Sequence, residues 1–104
     1  MAAYLIILRE EPVQDPAAMA EYMRLISLRP PPSNLKVHAL YGPSETVLGE
    51  PADGVVIMEF PSMEEAKAWY NSPEYSQARV HRHRSARHRE IFVEGFGAPG
   101  EPSS

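Results

Sequence analysis

Residues 55–75, VVIMEFPSMEEAKAWYNSPEY, decide the fold of this chain. Val55–Phe60 is a nearly continuous apolar run of strand length, and Pro61 ends it. Ser62 and Glu65 then form the S-x-x-E pattern of a capping box, which favours the start of a helix. The stretch therefore predicts a buried strand followed by an amphipathic helix.

This region contains two further helix signals. The first helix is predicted to bury four residues that recur at helical spacing: Met63, Ala66, Trp69 and Tyr70. Ser72-Pro73 predicts a second, short helix, because a capping serine followed by proline at the first helical position favours a helix start. We expect this helix to add a turn before the last strand.

The remaining segments predict one more helix and three more strands. Asp15-Pro16 starts the helix by the same logic, and Pro30-Pro31-Pro32 ends it. The strands are predicted at Tyr4–Leu8, at Ile91–Val93, and as one bent or bulged strand over Leu35–Tyr41 and Glu45–Leu48, interrupted at Gly42-Pro43.

This order predicts an α+β protein, a ferredoxin-like βαββαβ protomer with a four-stranded antiparallel sheet and its helices on one face. A sheet with one wet face alternates apolar and polar residues, but Tyr4–Leu8 and Val55–Met58 are apolar throughout. Because the helices cover one face only, the other needs a partner, and an uncovered apolar sheet is prone to aggregate. We therefore expect a homodimer.

Length and composition limit the possibilities. The 104 residues suffice for one domain, predicted over residues 1–96, and the tail 97–104 is expected to be disordered. The chain lacks cysteine, which excludes thiol nucleophiles, thiolate metal sites and disulfides. Its net charge of −4 argues against nucleic-acid binding. The apolar run near the start is too short for a signal peptide or a membrane span, so we expect a cytoplasmic protein with no membrane partner.

Several segments resemble a known family: VQDPAAMAEY at 13–22, residues 55–75, Arg82, and FVEGF at 92–96. The resemblance covers residues 3–96 and is most specific where helix caps and aromatic residues recur together, in EFPS-x-E-x-A-x-AWY-x-SPEY. The family is domain of unknown function 1330, of the dimeric α+β barrel superfamily. The resemblance implies a ferredoxin-like protomer and a dimer whose two sheets lie face to face.

The resemblance leaves the activity open. The superfamily includes cofactor-free monooxygenases, polyketide cyclases, lactone isomerases and haem enzymes. This chain departs from the family where residues 30–35, PPPSNL, stand in place of a Gly-Gly-Arg-Tyr-like entry into the second strand. It also departs in the richness of His and Arg around Arg82. Both departures would reshape the rim of a pocket.

The basic run at 79–89, RVHRHRSARHR, is the first candidate site, with five arginines and three histidines in an acidic chain. One interpretation is a solvated helix–loop that pairs with the acidic segments Glu10-Glu11 and Glu64-Glu65. The other is an anion site in which Arg82, which matches an arginine of the family, holds a phosphate, carboxylate or enolate-like group. In that case His81 or His88 would relay protons.

A metal site in this run is disfavoured. His81, His83 and His88 could supply nitrogen ligands, but no cysteine and no clear carboxylate accompany them, and the arginines repel a cation. The run also lacks the interleaved aromatic residues of a nucleic-acid-binding segment. We expect no metal and no organic cofactor.

His38 is the only histidine on a predicted core strand. A lone histidine there is usually structural, but one that faces the helices would lie where superfamily members bind their ligands. His38 is therefore the first choice for a general base. Nearby, Glu59 would lie opposite Glu45 in a simple hairpin about Asp53, unless the register slips by one residue.

Aromatic residues are candidates for ligand binding. Tyr22, Trp69 and Tyr70 recur at helical spacing and are expected in the core, with polar tips that can line a pocket between helices and sheet. The predicted substrate-binding residues are Arg82, Tyr22, Tyr41, Trp69 and Tyr75. The chain contains neither a nucleophile-elbow motif nor a phosphate-cradling glycine loop.

These residues lead us to expect an accessory enzyme in biosynthesis that acts without a cofactor on a small aromatic or polyketide-like, anionic metabolite. Its reaction would be isomerisation, cyclisation or monooxygenation, with His38 as general base, Arg82 holding the anion, and His81 or His88 relaying protons. A non-catalytic ligand-binding or regulatory dimer is the alternative. A purely structural dimer without a pocket is the third possibility.

Overall fold

The computed structural model describes residues 1–28, 32 and 34–96, which form four strands and three helices. The elements are β1 Ala3–Arg9, α1 Pro16–Ser27, β2 Lys36–Leu40, β3 Gly54–Phe60, α2 Met63–Tyr70, α3 Pro73–Ser85 and β4 His88–Glu94. The antiparallel sheet has the order β2-β3-β1-β4, which confirms the predicted ferredoxin-like fold. Pro30, Pro31 and the predicted tail at 97–104 lie outside the described residues.

The three helices begin at the predicted capping residues. Each cap accepts a hydrogen bond from a backbone N–H in the first turn: Asp15 from Ala18 at 3.0 Å, Ser62 from Glu65 at 3.1 Å, and Ser72 from Tyr75 at 3.3 Å. Each bond satisfies a donor that has no partner within the helix, and a cap of this kind contributes about 1 kcal/mol. These predictions are confirmed.

Side-chain alternation gives the sheet two apolar faces. One face packs beneath the helices and holds the core, Ala3, Leu5, Ile7, Val56, Met58 and Phe60, together with Ala66 of α2. The other face carries Tyr4, Ile6, Leu8, Val55, Ile57, Ile91 and Val93. None of the described helices packs on this second face, where Ile91 and Val93 are exposed.

The helices do not cover the first face evenly. Helix α2 packs on β1, β3 and β4, whereas α1 and α3 pack mainly against each other. Helix α3 is longer than the short helix we expected and includes residues 79–85 of the basic run. The reason is that Tyr75, Ala78 and Arg82 form one buried stripe at helical spacing. Within the described part of the chain, no helix combines the length and apolarity that crossing a membrane requires.

The second strand is shorter than predicted. Strand β2 ends at Leu40, and residues 41–53 contain no strand, so the prediction for Glu45–Leu48 is wrong. The bulge lies between Val37 and Ala39, at His38, and not at Gly42-Pro43. The chain turns at Tyr41, whose φ is 54°, and the following residues leave the edge of β3.

The register of β3 also differs from the predicted hairpin. Glu59 lies opposite Lys36 of β2 and Tyr4 of β1, so its expected pairing with Glu45 is wrong. Residues 41–53 form a long loop and not a tight turn about Asp53. Because of this loop, the residues of β2 that pair with β3 come from earlier in the chain than the hairpin predicted. The last strand begins at His88, before the predicted Ile91, because residues 88–90 continue its pairing with β1.

Candidate functional site

A cavity of about 870 Å³ lies between the sheet and the helix pair α1–α3. It exists because α1 and α3 pack on each other while only α2 packs closely on the sheet. Its walls are mainly apolar and include Leu25, Ile26, Leu35, Val37, Val56, Met58 and Ala78. This volume is within the range of cavities that hold small metabolites.

The polar groups of the cavity include a cluster where α3 meets α1. Arg82 is fully buried, and its Nη1 donates hydrogen bonds to the hydroxyls of Tyr75 and, at 3.3 Å, of Tyr22. The two hydroxyl oxygens are 3.2 Å apart. Burial raises the pKa of the Tyr75 phenol, so it stays protonated at neutral pH. We call Tyr22, Tyr75 and Arg82 the polar wall.

A carboxylate on the sheet balances the charge of Arg82. Glu90 of β4 accepts a hydrogen bond from Arg82 Nη2 and, on its other oxygen, from the Tyr70 hydroxyl. The Nε2 atom of His83 lies 2.8 Å from the same carboxylate. Sequence reasoning did not assign Glu90 to the site. The signal that could have found it is alternation, which puts Glu90 on the helix-facing side of β4 with Phe92.

A second, smaller cavity of about 270 Å³ lies at the end of α3 and the start of β4, lined by His83, Ala86, Arg87, His88 and Glu90. The Nδ1 atom of His88 is 2.8 Å from the carbonyl oxygen of Ala86, and its buried Nε2 has no hydrogen-bond partner among the described residues. Burial lowers the pKa of His88. Burial, with the charges of Arg82 and Arg79, lowers the pKa of His83 to about 4.

The five predicted substrate-binding residues, Arg82, Tyr22, Tyr41, Trp69 and Tyr75, all line the larger cavity. The rings of Trp69 and Tyr75 are stacked with their centroids 4.0 Å apart. The guanidinium of Arg9 lies 4.6 Å from the centroid of the Tyr41 ring. The structure thus brings the five together, and their role in binding stays a prediction.

The three predicted catalytic histidines lie elsewhere. His38 is in the bulge of β2, with its Nε2 2.8 Å from Glu59 Oε1 and its ring 6.3 Å from the Tyr4 ring, on the sheet face opposite the helices. It therefore does not meet the condition for a general base in the cavity, that it face the helices. His81 is a half-buried residue of α3 outside the cavity lining, and His88 lines the second cavity.

The residues of the basic run do not all behave as one interpretation, a solvated segment or an anion site, predicts. Arg87 forms the expected ion pair, with its backbone N–H 2.8 Å and its Nη1 3.4 Å from the carboxylate of Glu11. Arg79 instead donates to the Tyr70 carbonyl at 3.0 Å and covers the Tyr70 ring. The histidines are split between α3 and β4, and within residues 1–28, 32 and 34–96 no three His, Asp or Glu side chains are grouped as metal ligands.

Solved structures similar to this chain share its fold. A protein of unknown function from Rhodopseudomonas palustris is 20% identical, with a TM-score of 0.63 over 93% of this chain and 84% of that one. A dimeric ferredoxin-like protein of unknown function from Jannaschia sp. CCS1 is 15% identical, with a TM-score of 0.67 over 90% and 99%. An ethyl tert-butyl ether d (ethd) family protein from Bacillus halodurans c-125 is 20% identical, with a TM-score of 0.60 over 92% and 100%. At these identities the likeness concerns the fold alone.

Sequence comparison identifies the family of this chain, whereas the structural comparison shows only its fold. No curated protein matches the chain significantly. The sequence model of the family described as domain of unknown function (DUF1330) matches residues 2–96, a range that includes all four strands, the three helices and both cavities. The chain therefore belongs to the family of domain of unknown function 1330, as its sequence resemblance predicted.

Proposed function

We propose that this protein is a homodimer that binds an apolar small molecule in the cavity between its sheet and helices α1 and α3. The observation that carries the proposal is the cavity itself, about 870 Å³ with mainly apolar walls and one polar wall. The cavity opens to solvent at its rim, where Val37 and Leu40 are exposed. An open, mainly apolar cleft of this volume with a few polar groups is the usual form of a small-molecule site.

Binding without turnover is the function that this geometry supports best. Among the residues that the structure describes, the titratable groups that line the cavity are Glu74, Arg82 and the tyrosines Tyr22, Tyr41 and Tyr75. Burial raises the pKa of Tyr41 and of Tyr75, so neither phenol is a base near neutral pH. Among the described residues no histidine lines this cavity, which weakens the case for acid–base catalysis there.

One feature favours a catalytic alternative, cofactor-free isomerisation, cyclisation or monooxygenation. A phenol hydroxyl beside the Arg82 guanidinium can polarise a bound carbonyl and stabilise an enolate-like oxygen. Proton NMR in deuterated water tests this as deuterium uptake at the methyl group of acetonaphthone, next to its carbonyl. Uptake faster than in buffer, and lost in Tyr75→Phe, would favour catalysis, whereas the buffer rate supports binding alone.

The homodimer is supported by the uncovered sheet face. Ile57 lies near its middle, between Ile6 of β1 and Ala39 of β2. A second copy that pairs its own face there would remove apolar surface from water on both protomers. The similar protein from Jannaschia sp. CCS1 is described as dimeric. The cytoplasm remains the proposed compartment, and the apolar run near the start of the chain forms β1 of the sheet.

Nile red tests the cavity, because this uncharged dye fluoresces strongly in apolar surroundings. Val37 lines the cavity at 50% exposure, and Val80 of α3 lies outside its lining at 54% exposure. Val37→Glu should weaken Nile red binding about fivefold or more, since the dye would then have to desolvate a carboxylate. Val80→Glu is the matched control and should bind as the wild type does. Equal binding by both variants would place the dye outside the cavity and refute the proposal.

A further inference from the structure

We infer that the cavity takes an uncharged ligand that presents a hydrogen-bond acceptor, such as the carbonyl oxygen of a ketone, ester or quinone, to the polar wall of Tyr22, Tyr75 and Arg82. This inference rests on the proposed function and refines it by naming the charge and the polar group of the ligand. It replaces the anionic ligand that the basic run led us to expect.

The charge of the polar wall is balanced before any ligand binds. Among the described residues, Arg82 is the one cationic side chain that lines the cavity, and Glu90 accepts a hydrogen bond from its Nη2. An anionic ligand would lose its hydration and compete with Glu90 for the same guanidinium. An uncharged ligand avoids both penalties.

The hydrogen bonds of the polar wall leave donors available. Both phenol oxygens already accept from Arg82 Nη1, and the bond between the two hydroxyls uses one of their two protons. The other phenol proton remains to be donated. The Nε–H of Arg82 also lacks a partner within the described part of the chain, but it is fully buried, so the phenol proton is the donor offered to a ligand. A wall that offers a donor is complementary to an acceptor, and a carbonyl oxygen has two lone pairs to offer.

Three naphthalene derivatives of similar size test which charge and which polar group the cavity prefers. Acetonaphthone carries an uncharged carbonyl, ethylnaphthalene has no acceptor, and naphthoate is an anion. Amide NMR titrations of the full chain give each dissociation constant and show whether cavity residues such as Ala78 respond. We expect acetonaphthone to bind about fivefold more tightly than ethylnaphthalene, the gain from one uncharged hydrogen bond. Naphthoate should bind most weakly.

Removal of the donors of the polar wall provides the matched variant. Tyr22→Phe and Tyr75→Phe combined with Arg82→Met also remove the N–H groups that the two phenols would otherwise leave unpaired, and this triple variant should bring the affinities for acetonaphthone and ethylnaphthalene to the same value. Tyr75→Phe alone should narrow their difference, and it serves if the triple variant does not fold.

Each contrary result has a distinct meaning. The inference is overturned, with the proposed function intact, if naphthoate binds as tightly as the ketone or if the ketone has no advantage over ethylnaphthalene. A preference that survives in a folded Tyr22→Phe/Tyr75→Phe/Arg82→Met protein also overturns it. If none of the three compounds shifts the amides of cavity residues up to its solubility limit, the proposed function fails and the inference falls with it.

Discussion

Arg82 keeps a positive charge in the core because its neighbours engage both of its Nη atoms. An unpaired charge in a protein interior is strongly unfavourable, but Glu90 balances this one and two phenol oxygens accept from Nη1. The arginine that the sequence marks as an anion holder is thus already engaged by a carboxylate. At the residue scale this decides the character of the cavity, since Arg82, the one cation among the described residues of its lining, contributes hydrogen-bond donors and no net charge.

His83 should make the protein sensitive to acid. Burial, with help from Arg82 and Arg79, lowers the pKa of His83 to about 4 in the folded state, below the value of about 6.5 in an unfolded chain. Between these two values the unfolded chain binds more protons, so the free energy of unfolding falls as the pH drops through this window. Because the side chain is 43% exposed, solvent screening limits the loss to about 1 kcal/mol.

Two measurements check this prediction. NMR titration of the His83 ring gives its pKa directly, and a midpoint at or above the unfolded value would contradict the prediction. Urea unfolding at about pH 7 and about pH 4 gives the stability change. His83→Gln keeps an N–H for Glu90 without titrating, and the carboxylates titrate in both proteins. The wild type should therefore lose more stability than His83→Gln.

At the scale of the elements, the ion pair between Arg82 and Glu90 links α3 directly to β4. Helix α3 packs mainly against α1, and the larger cavity separates this helix pair from the sheet. The link therefore holds α3 at the distance that keeps the cavity open. Tyr70 adds α2 to the same junction by donating to Glu90.

Glu90→Gln should destabilise the protein by about 3 kcal/mol, because it leaves the buried guanidinium without its counter-charge. Urea unfolding measures the change. Glu94→Gln is the control, since it makes the same substitution at an exposed position of the same strand. It should alter the free energy of unfolding by no more than about 0.5 kcal/mol.

Replacement of both partners distinguishes loss of the pair from loss of packing. Arg82→Met combined with Glu90→Leu removes both charges and keeps apolar volume, so it should cost less than Glu90→Gln alone. If Glu90→Gln is as mild as Glu94→Gln, the ion pair does not hold α3 to the sheet.

At the scale of the whole molecule, the uncovered sheet face should govern assembly. Ile57→Lys puts a charge at the middle of that face, and burying it between two copies would cost several kcal/mol. Sedimentation velocity at micromolar concentration should find the wild type at twice 11.6 kDa and Ile57→Lys at 11.6 kDa. Val80→Lys, on the exposed side of α3, should behave as the wild type does. A monomeric wild type would refute the homodimer.

The sequence by itself determined the order of the elements and the family. The starts of α1, α2 and α3 were predictable because a cap acts on a backbone N–H within three residues, and Asp15, Ser62 and Ser72 carry that interaction locally. Apolar runs along the chain predicted β1 and β3, and helical spacing indicated Tyr22 and Trp69, two of the aromatic residues that line the cavity. The length of α3 was missed because charged residues hide its buried stripe.

Only the tertiary structure decided which residues meet across the sheet. Strand side chains alternate between faces, so one bulge at His38 is enough to turn that histidine away from the cavity. The register of β2 and β3 places Glu59 opposite Lys36, and the packing of α3 near β4 brings Arg82 to Glu90. These contacts join distant segments whose relative positions depend on loop length and bulges, which no local pattern in the chain encodes.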